Sequence, residues 1–509
     1  MHINSNRGLG SALNIACGTF GDALALSGTG ITLSYAALAH EAERVTNALR
    51  NVGIVPNEPV HVHVSNHPLD IAALLGVWNA GGVVVPVHRT TPAAVAAKVL
   101  DKTRARLLID MQASASAAAS SSGSVLSMIA TARPPERPLL DKAAFIIFTS
   151  GSTGTPKGVV VSHDAFYGKI QQIDSLLHFQ PNESTLLVLN ITFSFGLWIS
   201  LLTLLRGGTL VMAEKFDPVA FLQALIDNNI TRVGMVPTMM RVLFSDVGLA
   251  SKIDRVVSQN TLRQILIGGE SLGHSLAATI RQRFTGTDLI DIYGLTETAT
   301  CDFFSFPEDY AKYPGCIGRP SPNVGFRIVD AYDAVVPAGT LGELQIRSPY
   351  LMNGYLDEPD LTTAALSDGW LKTGDLARTV GDSVVELMGR SKEIISRGGN
   401  KVTPGELEQL LCSHPDISAA MAVGLADAVL GERIHVLVVP RTGVCLEISA
   451  LKKYLEGRLE KFKQPDTYYL SDALPLGRTG KADRGQLKLM IQSGALVSAS
   501  VVTLASAPT

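Results

Sequence analysis

The chain has 509 residues, more than one hydrophobic core ordinarily serves, so we expect two or more domains. Hydrophobic residues make up 46% of it, and the 43 basic and 46 acidic residues leave a net charge of −3. This balance, without a basic tract, argues against a nucleic-acid partner. The five cysteines show no C-x-x-C or zinc spacing and no signal-type segment opens the chain, so we expect reduced thiols in a cytoplasmic protein.

The first 110 residues or so alternate between helical and strand patterns, which favours a parallel sheet with helices on its faces. The pattern predicts a helix over 33–52, a strand over 60–65, a helix over 72–79 and a strand over 83–87. Residues 113–124 consist of small residues and are interpreted as a surface connection.

A stretch without charges, residues 186–205, is long enough to cross a bilayer. Polar residues such as Asn190 and Thr192 interrupt its middle, however, and its two ends have the patterns of a strand and a buried helix. A span here would also separate the segments before and after it on two sides of a membrane. We therefore predict a strand, a turn and a helix, and no membrane span.

Residues 149–158 form a Gly/Ser/Thr-rich segment that carries one cation, Lys157, between two apolar runs. Glycines let a backbone approach a ligand closely, and hydroxyls and successive N–H groups add donors, which suits a polyphosphate. The segment is not the common P-loop, because Gly158 rather than Ser or Thr follows the lysine. The alternative is a flexible polar linker, which would rarely lie between two buried runs.

Further along, residues 264–270 and 289–298 each predict a strand that ends in a glycine turn, the place where open α/β sheets bind ligands. Short alternating strands over 324–347 predict a small β unit. A new α+β pattern begins near residue 390. We predict a large domain over 1–389, a small mobile domain over 390–493 and a disordered tail over 494–509.

Five segments in this order resemble the motifs of the adenylate-forming enzyme superfamily, which includes acyl-CoA and aryl-CoA synthetases, peptide-synthetase adenylation domains and firefly luciferase. The segments are residues 149–158, 293–298, 373–375, 389–390 and 475–484. The resemblance spans roughly residues 20 to 490 and is closest to acid–CoA ligases. It implies layered α/β sheets in a large domain, a small β subdomain and a small mobile α+β domain. A nucleotide-binding protein without ligase activity would lack Glu297 or Lys481, and both are present.

In such enzymes a carboxylate attacks the α-phosphate of ATP, and acyl-AMP and pyrophosphate result. The resemblance implies that Glu297 holds Mg²⁺, that Thr296 contacts the α-phosphate and that Lys481 reaches the carboxylate and the α-phosphate. Tyr293 would face adenine and Asp375 would accept the ribose hydroxyls. The nucleotide-binding positions implied are Thr149, Ser150, Gly151, Ser152, Thr153, Gly154, Lys157, Gly268, Gly269, Glu270, Asp291, Tyr293, Gly294, Thr296, Asp375, Arg390 and Lys481.

Without the motif order, these residues have ordinary interpretations: Tyr293 as a core residue, Asp375 as a turn former, Lys481 as a surface lysine. The resemblance further implies a second half-reaction, in which the small domain rotates about a hinge at Lys392. The glycine-rich turn 396–400 would then approach the site and let a pantetheine arm pass.

The motif alignment places Ser194 where amino-acid-activating members carry an aspartate, so α-amino acids are disfavoured. The predicted acid pocket is bulky and apolar, which suits an aryl or medium-sized aliphatic acid, although some of its residues could instead fill the core. The predicted pocket residues are Phe193, Ser194, Phe195, Trp198, Met235, Ile267, Thr300 and Cys301.

As acyl acceptor the resemblance favours coenzyme A, because residues 397–404 look more like those of acyl-CoA ligases than of peptide synthetases. The alternative is the phosphopantetheine of a separate carrier protein, since the ending Asp483-Arg484 is also common in carrier-loading enzymes. The expected ligands are thus ATP, Mg²⁺, a carboxylic acid and CoA or a carrier protein. We expect a monomer or a homodimer.

Overall fold

The structure is a computed structural model that describes residues 8–112, 125–149, 156–477 and 481–498. Its strands, in chain order, are β1 (Leu24–Gly28), β2 (Ile31–Ser34), β3 (Pro59–Val64), β4 (Val83–His88), β5 (Leu107–Ile109), β6 (Leu126–Met128), β7 (Ala143–Thr149), β8 (Lys157–Ser162), β9 (Ser184–Leu187), β10 (Thr209–Met212), β11 (Arg232–Met235), β12 (Gln264–Gly268), β13 (Asp288–Tyr293), β14 (Phe303–Ser305), β15 (Arg319–Pro320), β16 (Gly325–Val329), β17 (Gly342–Arg347), β18 (Gly354–Tyr355), β19 (Leu366–Ser367), β20 (Trp370–Val380), β21 (Val384–Arg390), β22 (Ile395–Arg397), β23 (Asn400–Val402), β24 (Ile417–Asp427), β25 (Gly431–Pro440) and β26 (Thr467–Leu470).

The α-helices are α1 (Leu9–Phe20), α2 (Tyr35–Asn51), α3 (Pro68–Asn79), α4 (Ala93–Thr103), α5 (His163–Leu177), α6 (Ser194–Leu205), α7 (Pro218–Asp227), α8 (Pro237–Ser245), α9 (Ala250–Gln259), α10 (His274–Arg283), α11 (Pro307–Lys312), α12 (Pro359–Ala365), α13 (Pro404–Cys412), α14 (Ile448–Leu455) and α15 (Arg484–Gln492). Short 3-10 turns lie at Pro138–Leu140, Val247–Leu249, Thr296–Thr298, Ser391–Glu393 and Lys461–Lys463.

Two large sheets form the body of the molecule. One has the strand order β18-β8-β7-β4-β3-β5-β6 and the other β15-β14-β13-β12-β11-β9-β10-β1-β2. Their central neighbours pair in parallel, and antiparallel strands lie toward the edges. Helices α1, α2, α3, α5 and α6 contribute to the main core cluster. The predicted α/β architecture is therefore confirmed, with antiparallel additions that strand-helix alternation does not reveal.

The uncharged stretch over 186–205 folds as the end of β9, a turn and helix α6, as predicted. Helix α6 is buried along nearly its whole length because it packs in the main core. Nowhere in the part of the chain that the structure describes is there a helix with the length and hydropathy that a membrane span requires.

Two smaller sheets follow. The first is antiparallel, with the order β16-β17-β20-β19 and β21 paired to β20, and it is the small β unit that the sequence predicts. The second has the order β23-β22-β25-β24, with β26 parallel to β25, and it belongs to a separate α+β domain with its own core. The domain boundary at residue 389 remains a prediction.

Two predicted irregular segments extend beyond what the structure describes. Residues 113–124 lie wholly outside the described residues. Of the predicted tail over 494–509, Leu496 packs beside a small cluster around Tyr469, and Ser498 forms an antiparallel bridge with Tyr469. The remaining residues, 499–509, lie outside the described part.

Candidate active site

The predicted phosphate segment joins two core strands. Strands β7 and β8 pair antiparallel, and their register ends with Thr149 opposite Lys157, so the segment is the connection of a β-hairpin. The hairpin therefore holds these two residues side by side at one edge of the site. The other predicted phosphate-binding positions lie outside the described residues: Ser150, Gly151, Ser152, Thr153 and Gly154.

Lys157 lies next to a tyrosine that links it to the predicted metal ligand. Strand β18 pairs with β8 and places the Tyr355 ring with its centroid 5.3 Å from Lys157 Nζ, a cation–π distance. The Tyr355 hydroxyl donates a hydrogen bond of 2.9 Å to Glu297 Oε1. The cation, the phenol and the carboxylate thus form one cluster in which Tyr355 fixes the orientation of the Glu297 side chain.

The Glu297 carboxylate fits the needs of a phosphate-bound Mg²⁺ ion. Its backbone carbonyl accepts a bond of 2.8 Å from the Met352 amide, so both ends of the residue are fixed. Among the described residues, no group of three or more His, Cys, Asp or Glu side chains could hold a metal by itself. Mg²⁺ commonly uses one or two carboxylates together with substrate phosphates and water, so a single carboxylate is a suitable protein contribution.

A second cluster lies at the predicted nucleoside end of the site. The Tyr293 hydroxyl donates to Asp375 Oδ2 at 2.6 Å, and Arg390 Nε lies 3.0 Å from Asp375 Oδ1. The Asp375 amide donates to Thr373 Oγ1 at 3.0 Å. Burial raises the pKa of the Asp375 carboxyl, and the Arg390 guanidinium opposes that shift. The carboxylate is thus oriented before any ligand binds, and each oxygen keeps a second lone pair for a hydroxyl donor.

Glycine is required in the turns after β12 and β13 for two different steric reasons. Gly269 has φ +83°, a conformation that disfavours a side chain. A Cβ at Gly294 would stand 2.2 Å from the backbone nitrogen of Cys301, so Gly294 permits the following loop to fold back on it. Thr296 and Glu297 begin the 3-10 turn within that loop. Asp291 is buried on β13, and burial raises its pKa to about 7.

Lys481 comes from the small domain and ends against the turn after β12. A Cβ at Gly269 would lie 2.8 Å from Lys481 Nζ, so the turn and the ammonium are in close contact. Glu270 Oε1 accepts a bond of 3.3 Å from the Ala482 amide and one of 3.0 Å from the Thr238 hydroxyl. Burial lowers the pKa of the Lys481 ammonium, while the Glu270 carboxylate opposes that shift. Glu270 therefore holds the lysine-bearing segment in place.

The acid end of the site is built on helix α6. Phe193, Ser194 and Phe195 open this helix and are only partly buried. A Cβ at Gly234 or at Gly268 would each stand 3.4 Å from a ring carbon of Phe195. The Phe195 ring therefore lies over two neighbouring strands at positions that have no side chain.

Two predicted pocket residues are not brought to this face. Side chains alternate along a strand, and the Gly234 and Gly268 positions face Phe195. Met235 and Ile267 are their neighbours in sequence, and both lie in the core cluster that packs against helices α7 to α10 on the other face. The alternation along β11 and β12 therefore places Met235 and Ile267 on the face of the sheet away from Phe195, and their contact with an acid stays a prediction.

The other predicted pocket residues, Trp198, Thr300 and Cys301, are buried. The Trp198 ring stacks on Phe195 with a centroid distance of 5.5 Å and is itself fully buried. Thr300 and Cys301 are buried in the loop after β13, where Thr300 Oγ1 lies 3.2 Å from Cys301 Sγ. The structure thus places Trp198 against Phe195 and Cys301 in the main core cluster.

Comparison with known proteins identifies the relationship. The family model described as AMP-binding enzyme matches residues 13–356, and the model of the AMP-binding enzyme C-terminal domain matches residues 406–481. The chain belongs to the AMP-binding enzyme family. The predicted membership of the adenylate-forming superfamily is confirmed.

Relatives of this family member align over nearly the whole chain. It is 30% identical to feruloyl-CoA synthase of Amycolatopsis sp, with 95% of this chain and 99% of the relative covered. It is 29% identical to indoleacetate–CoA ligase of Aromatoleum aromaticum, with 90% and 93% covered. The solved structure of the amide bond synthetase McbA from Marinactinospora thermotolerans superposes with a TM-score of 0.82 at 27% identity, covering 94% of this chain and 99% of that one.

The C-terminal domain of this AMP-binding enzyme carries an ionic cluster next to the predicted hinge. Arg484 Nε donates to Glu393 Oε2 at 2.8 Å, and Arg484 Nη2 donates to Glu408 Oε2 at 2.9 Å. Glu393 ends the 3-10 turn that contains Lys392. Arg484 thus joins the hinge turn, helix α13 and helix α15, which gives the Asp-Arg ending of the last motif a structural role.

Sequence reasoning missed two residues of the site. Tyr355 lies 58 residues beyond Glu297, and only the pairing of β18 with β8 brings them together, so no local spacing marks it. Gly234 could have been found, because the two-residue period of β11 places it on the face opposite to Val233 and Met235.

Proposed function

We propose that the protein joins a carboxylic acid to the thiol of coenzyme A at the expense of ATP. In the first half-reaction, a carboxylate oxygen forms a bond to the α-phosphorus of ATP, and the bond to the β-phosphate oxygen breaks. Acyl-AMP and pyrophosphate result. In the second, the CoA sulfur attacks the acyl carbon, its proton passes to solvent, and AMP leaves.

The observation that carries the proposal is the placement of Lys481, from the small domain, against Gly269 of the large domain. Phosphoryl transfer asks a protein mainly for positioning and for cations that neutralise developing charge. Lys157 from the large domain and Lys481 from the small domain supply two cations. Glu297 would hold a Mg²⁺ ion that lies on the phosphates and withdraws charge from them.

The same geometry supports the remaining predicted roles. Asp375, held by Tyr293 and Arg390, presents two oriented carboxylate oxygens to the ribose hydroxyls. Thr296 lies beside Glu297 in the 3-10 turn and would contact the α-phosphate.

The acid that fits best is an aryl or medium-sized apolar acid. Phe193 and Phe195 line the acid end, and Ser194 contributes no carboxylate to pair with an ammonium group. Two of the relatives, feruloyl-CoA synthase and indoleacetate–CoA ligase, are named for acids that contain an aromatic ring. Their names also favour CoA as the acceptor.

A separate carrier protein as acceptor is the second candidate. It was suggested by the ending Asp483-Arg484, but the bonds of Arg484 to Glu393 and Glu408 explain this arginine without a carrier. The acceptor that the sequence resemblance and the named relatives favour is therefore CoA.

The test is a screen for pyrophosphate release over aryl, fatty and amino acids, with and without CoA. We expect release with an aryl or medium-sized apolar acid, together with an acyl-CoA thioester detected by mass spectrometry when CoA is present. Pyrophosphate release with no thioester to CoA, but acyl transfer to a phosphopantetheinylated carrier protein, would favour the second candidate. Absence of release with every acid would contradict the proposal.

A further inference from the structure

The loop between β13 and β14 carries residues for both ends of the site. It leaves the sheet after Tyr293 and returns at Asp302, whose amide donates a bond of 2.7 Å to the Tyr293 carbonyl. Between these two ends lie Thr296 and Glu297, predicted to contact the phosphates and Mg²⁺. Thr300 and Cys301, predicted to lie near the acid, belong to the same loop. The loop's conformation therefore affects both substrates at once.

This conformation is strained at three consecutive residues. Ala299, Thr300 and Cys301 have φ values of 61°, 125° and 45°, although none of them is glycine. Each such residue is unfavourable in this conformation, and a β-branched residue such as Thr300 is especially so. The surrounding contacts must hold the loop against this cost.

A buried ion pair supplies those contacts. Lys169 on helix α5 donates a bond of 2.8 Å to Asp302 Oδ1, and both side chains are 0% exposed. Lys169 Nζ also lies 3.4 Å from the carbonyl oxygen of Cys301. Cys301 is the last of the three strained residues. The other carboxylate oxygen, Asp302 Oδ2, accepts a hydrogen bond from the Thr298 hydroxyl.

The same hydroxyl continues the network to the start of the loop. Thr298 Oγ1 accepts a bond of 3.3 Å from the Leu295 amide, two residues after Tyr293. Ser321 closes the far side, where its amide donates to the Asp302 carbonyl at 2.7 Å. The charged pair is therefore connected to the beginning, the strained part and the end of the loop.

A buried ion pair is not by itself a source of stability, because the desolvation of two charges offsets their attraction. Apolar residues of similar size would fill the space at comparable stability. They could not, however, donate to the Cys301 carbonyl or accept from Thr298.

We propose that Lys169 and Asp302 are positioning residues that hold the 294–302 loop in its strained conformation and so couple the acid pocket to the Mg·ATP site. The inference rests on the proposed function, since it concerns the same two substrates. It predicts that loss of the ion pair weakens the binding of both Mg·ATP and the acid, even in a protein that remains fully folded.

The test compares two double variants. Lys169→Met/Asp302→Leu removes both charges, so no unpaired buried charge remains to unfold the protein. The matched control is Arg106→Met/Glu58→Leu, which removes a second buried pair, at 2.7 Å with side chains 5% and 0% exposed, that lies in the first large sheet region. Binding of Mg·ATP alone is measured by calorimetry, and the KM of the acid selected in the screen is measured by pyrophosphate release.

For Lys169→Met/Asp302→Leu we expect a cooperative thermal transition like that of the native protein. We also expect a Kd for Mg·ATP and a KM for the acid that each rise about tenfold, with a smaller change in kcat. The control variant should keep both constants within about twofold. Asp302→Asn, which preserves the size of the side chain, should change both constants in the same direction.

Substrate constants like those of the native protein in the folded Lys169→Met/Asp302→Leu variant would overturn the inference. Equal weakening in the Arg106→Met/Glu58→Leu control would overturn it as well, because the effect would then be general. If the double variant does not fold, unchanged constants in Asp302→Asn would overturn it. Failure of the native protein to bind Mg·ATP or to release pyrophosphate would instead contradict the proposed function.

Discussion

The two lysines of the proposed site are held in very different ways. Lys157 begins β8, a strand with partners on both sides, and its ammonium lies over the Tyr355 ring. Lys481 lies in a segment of the small domain whose hold on the large domain includes the bond from the Ala482 amide to Glu270. The position of Lys157 is therefore fixed by the body of the fold. The position of Lys481 depends on how the two domains dock, so the predicted rotation of the small domain would remove one cation from the site while the other stays.

Removal of Lys481 should separate the two half-reactions most strongly. For Lys481→Ala we expect acyl-AMP formation to fall about a thousandfold, because a charge aimed at the transition state is lost. Thioester formation from preformed acyl-AMP should largely survive, since the lysine would have left the site by then. Single-turnover assays of each step measure this. Equal loss of both steps would remove Lys481 from its proposed role.

Restriction of the predicted hinge should instead impair thioester formation and spare acyl-AMP formation. Lys392→Pro should reduce thioester formation about a hundredfold, because proline fixes φ and limits the domain rotation. Adenylation should be spared, since the described structure already places Lys481 against Gly269. The same two assays apply. Collapse of adenylation with intact thioester formation would mean that the hinge lies elsewhere.

The role of the fixed lysine, Lys157, and its neighbours is tested at Tyr355. Tyr355→Phe keeps the ring beside Lys157 but removes the hydroxyl that bonds to Glu297, so we expect the KM for Mg·ATP to rise about tenfold. Both rates at saturating Mg·ATP should stay nearly unchanged. A variant in which only thioester formation suffers would contradict the assignment of this cluster to the phosphates.

The burial of Lys481 predicts a pH dependence. Because burial lowers the pKa of its ammonium, kcat/KM for adenylation should decline with rising pH before the ordinary lysine range is reached. Arginine stays charged, so Lys481→Arg should move this alkaline decline to higher pH, whatever its effect on the maximal rate. An alkaline decline at the same pH in both proteins would show that another group controls it.

The smallest effect on adenylation is expected where the turn at Arg441 and Thr442 of the small domain contacts the large domain. Arg441 Nη2 lies 3.3 Å from Ser275 Oγ, and the Thr442 hydroxyl donates to the Ser245 carbonyl at 3.1 Å, so this turn joins the small domain to helices α8 and α10. Arg441→Ala should slow adenylation about two- to threefold, as expected for an exposed contact, and leave thioester formation unaffected. Arg458→Ala is the control, because Arg458 bonds to Tyr454 within the small domain.

Local patterns predicted much of this fold. Alternation of strands and helices indicated the parallel sheets, and the glycine turns after β12 and β13 were placed correctly because strand endings are encoded by adjacent residues. The uncharged stretch that ends in helix α6 was also assigned correctly. Side-chain direction is harder to predict, because a shift of one residue along a strand reverses the face, and Met235 and Ile267 lie on the face away from Phe195.

Contacts between distant residues could not be predicted from spacing. Lys169 and Asp302 are 133 positions apart, and an isolated lysine within a helix resembles a surface residue until the fold buries it. Tyr355 depends in the same way on the pairing of β18 with β8. Contacts of this kind are determined by the tertiary structure and not by the local sequence.

The ionic cluster around Arg484 has a mechanical consequence. Because Glu393 is bonded to Arg484, and Arg484 is bonded to Glu408, the turn at Glu393 is joined to helices α13 and α15 of the small domain. If the small domain rotates, the bonds of Arg484 to Glu393 and Glu408 would move with it unchanged. If the small domain rotates about the predicted hinge, the torsional change would be concentrated in the few bonds between Arg390 and Glu393, and a short pivot would direct Lys481 toward and away from Gly269.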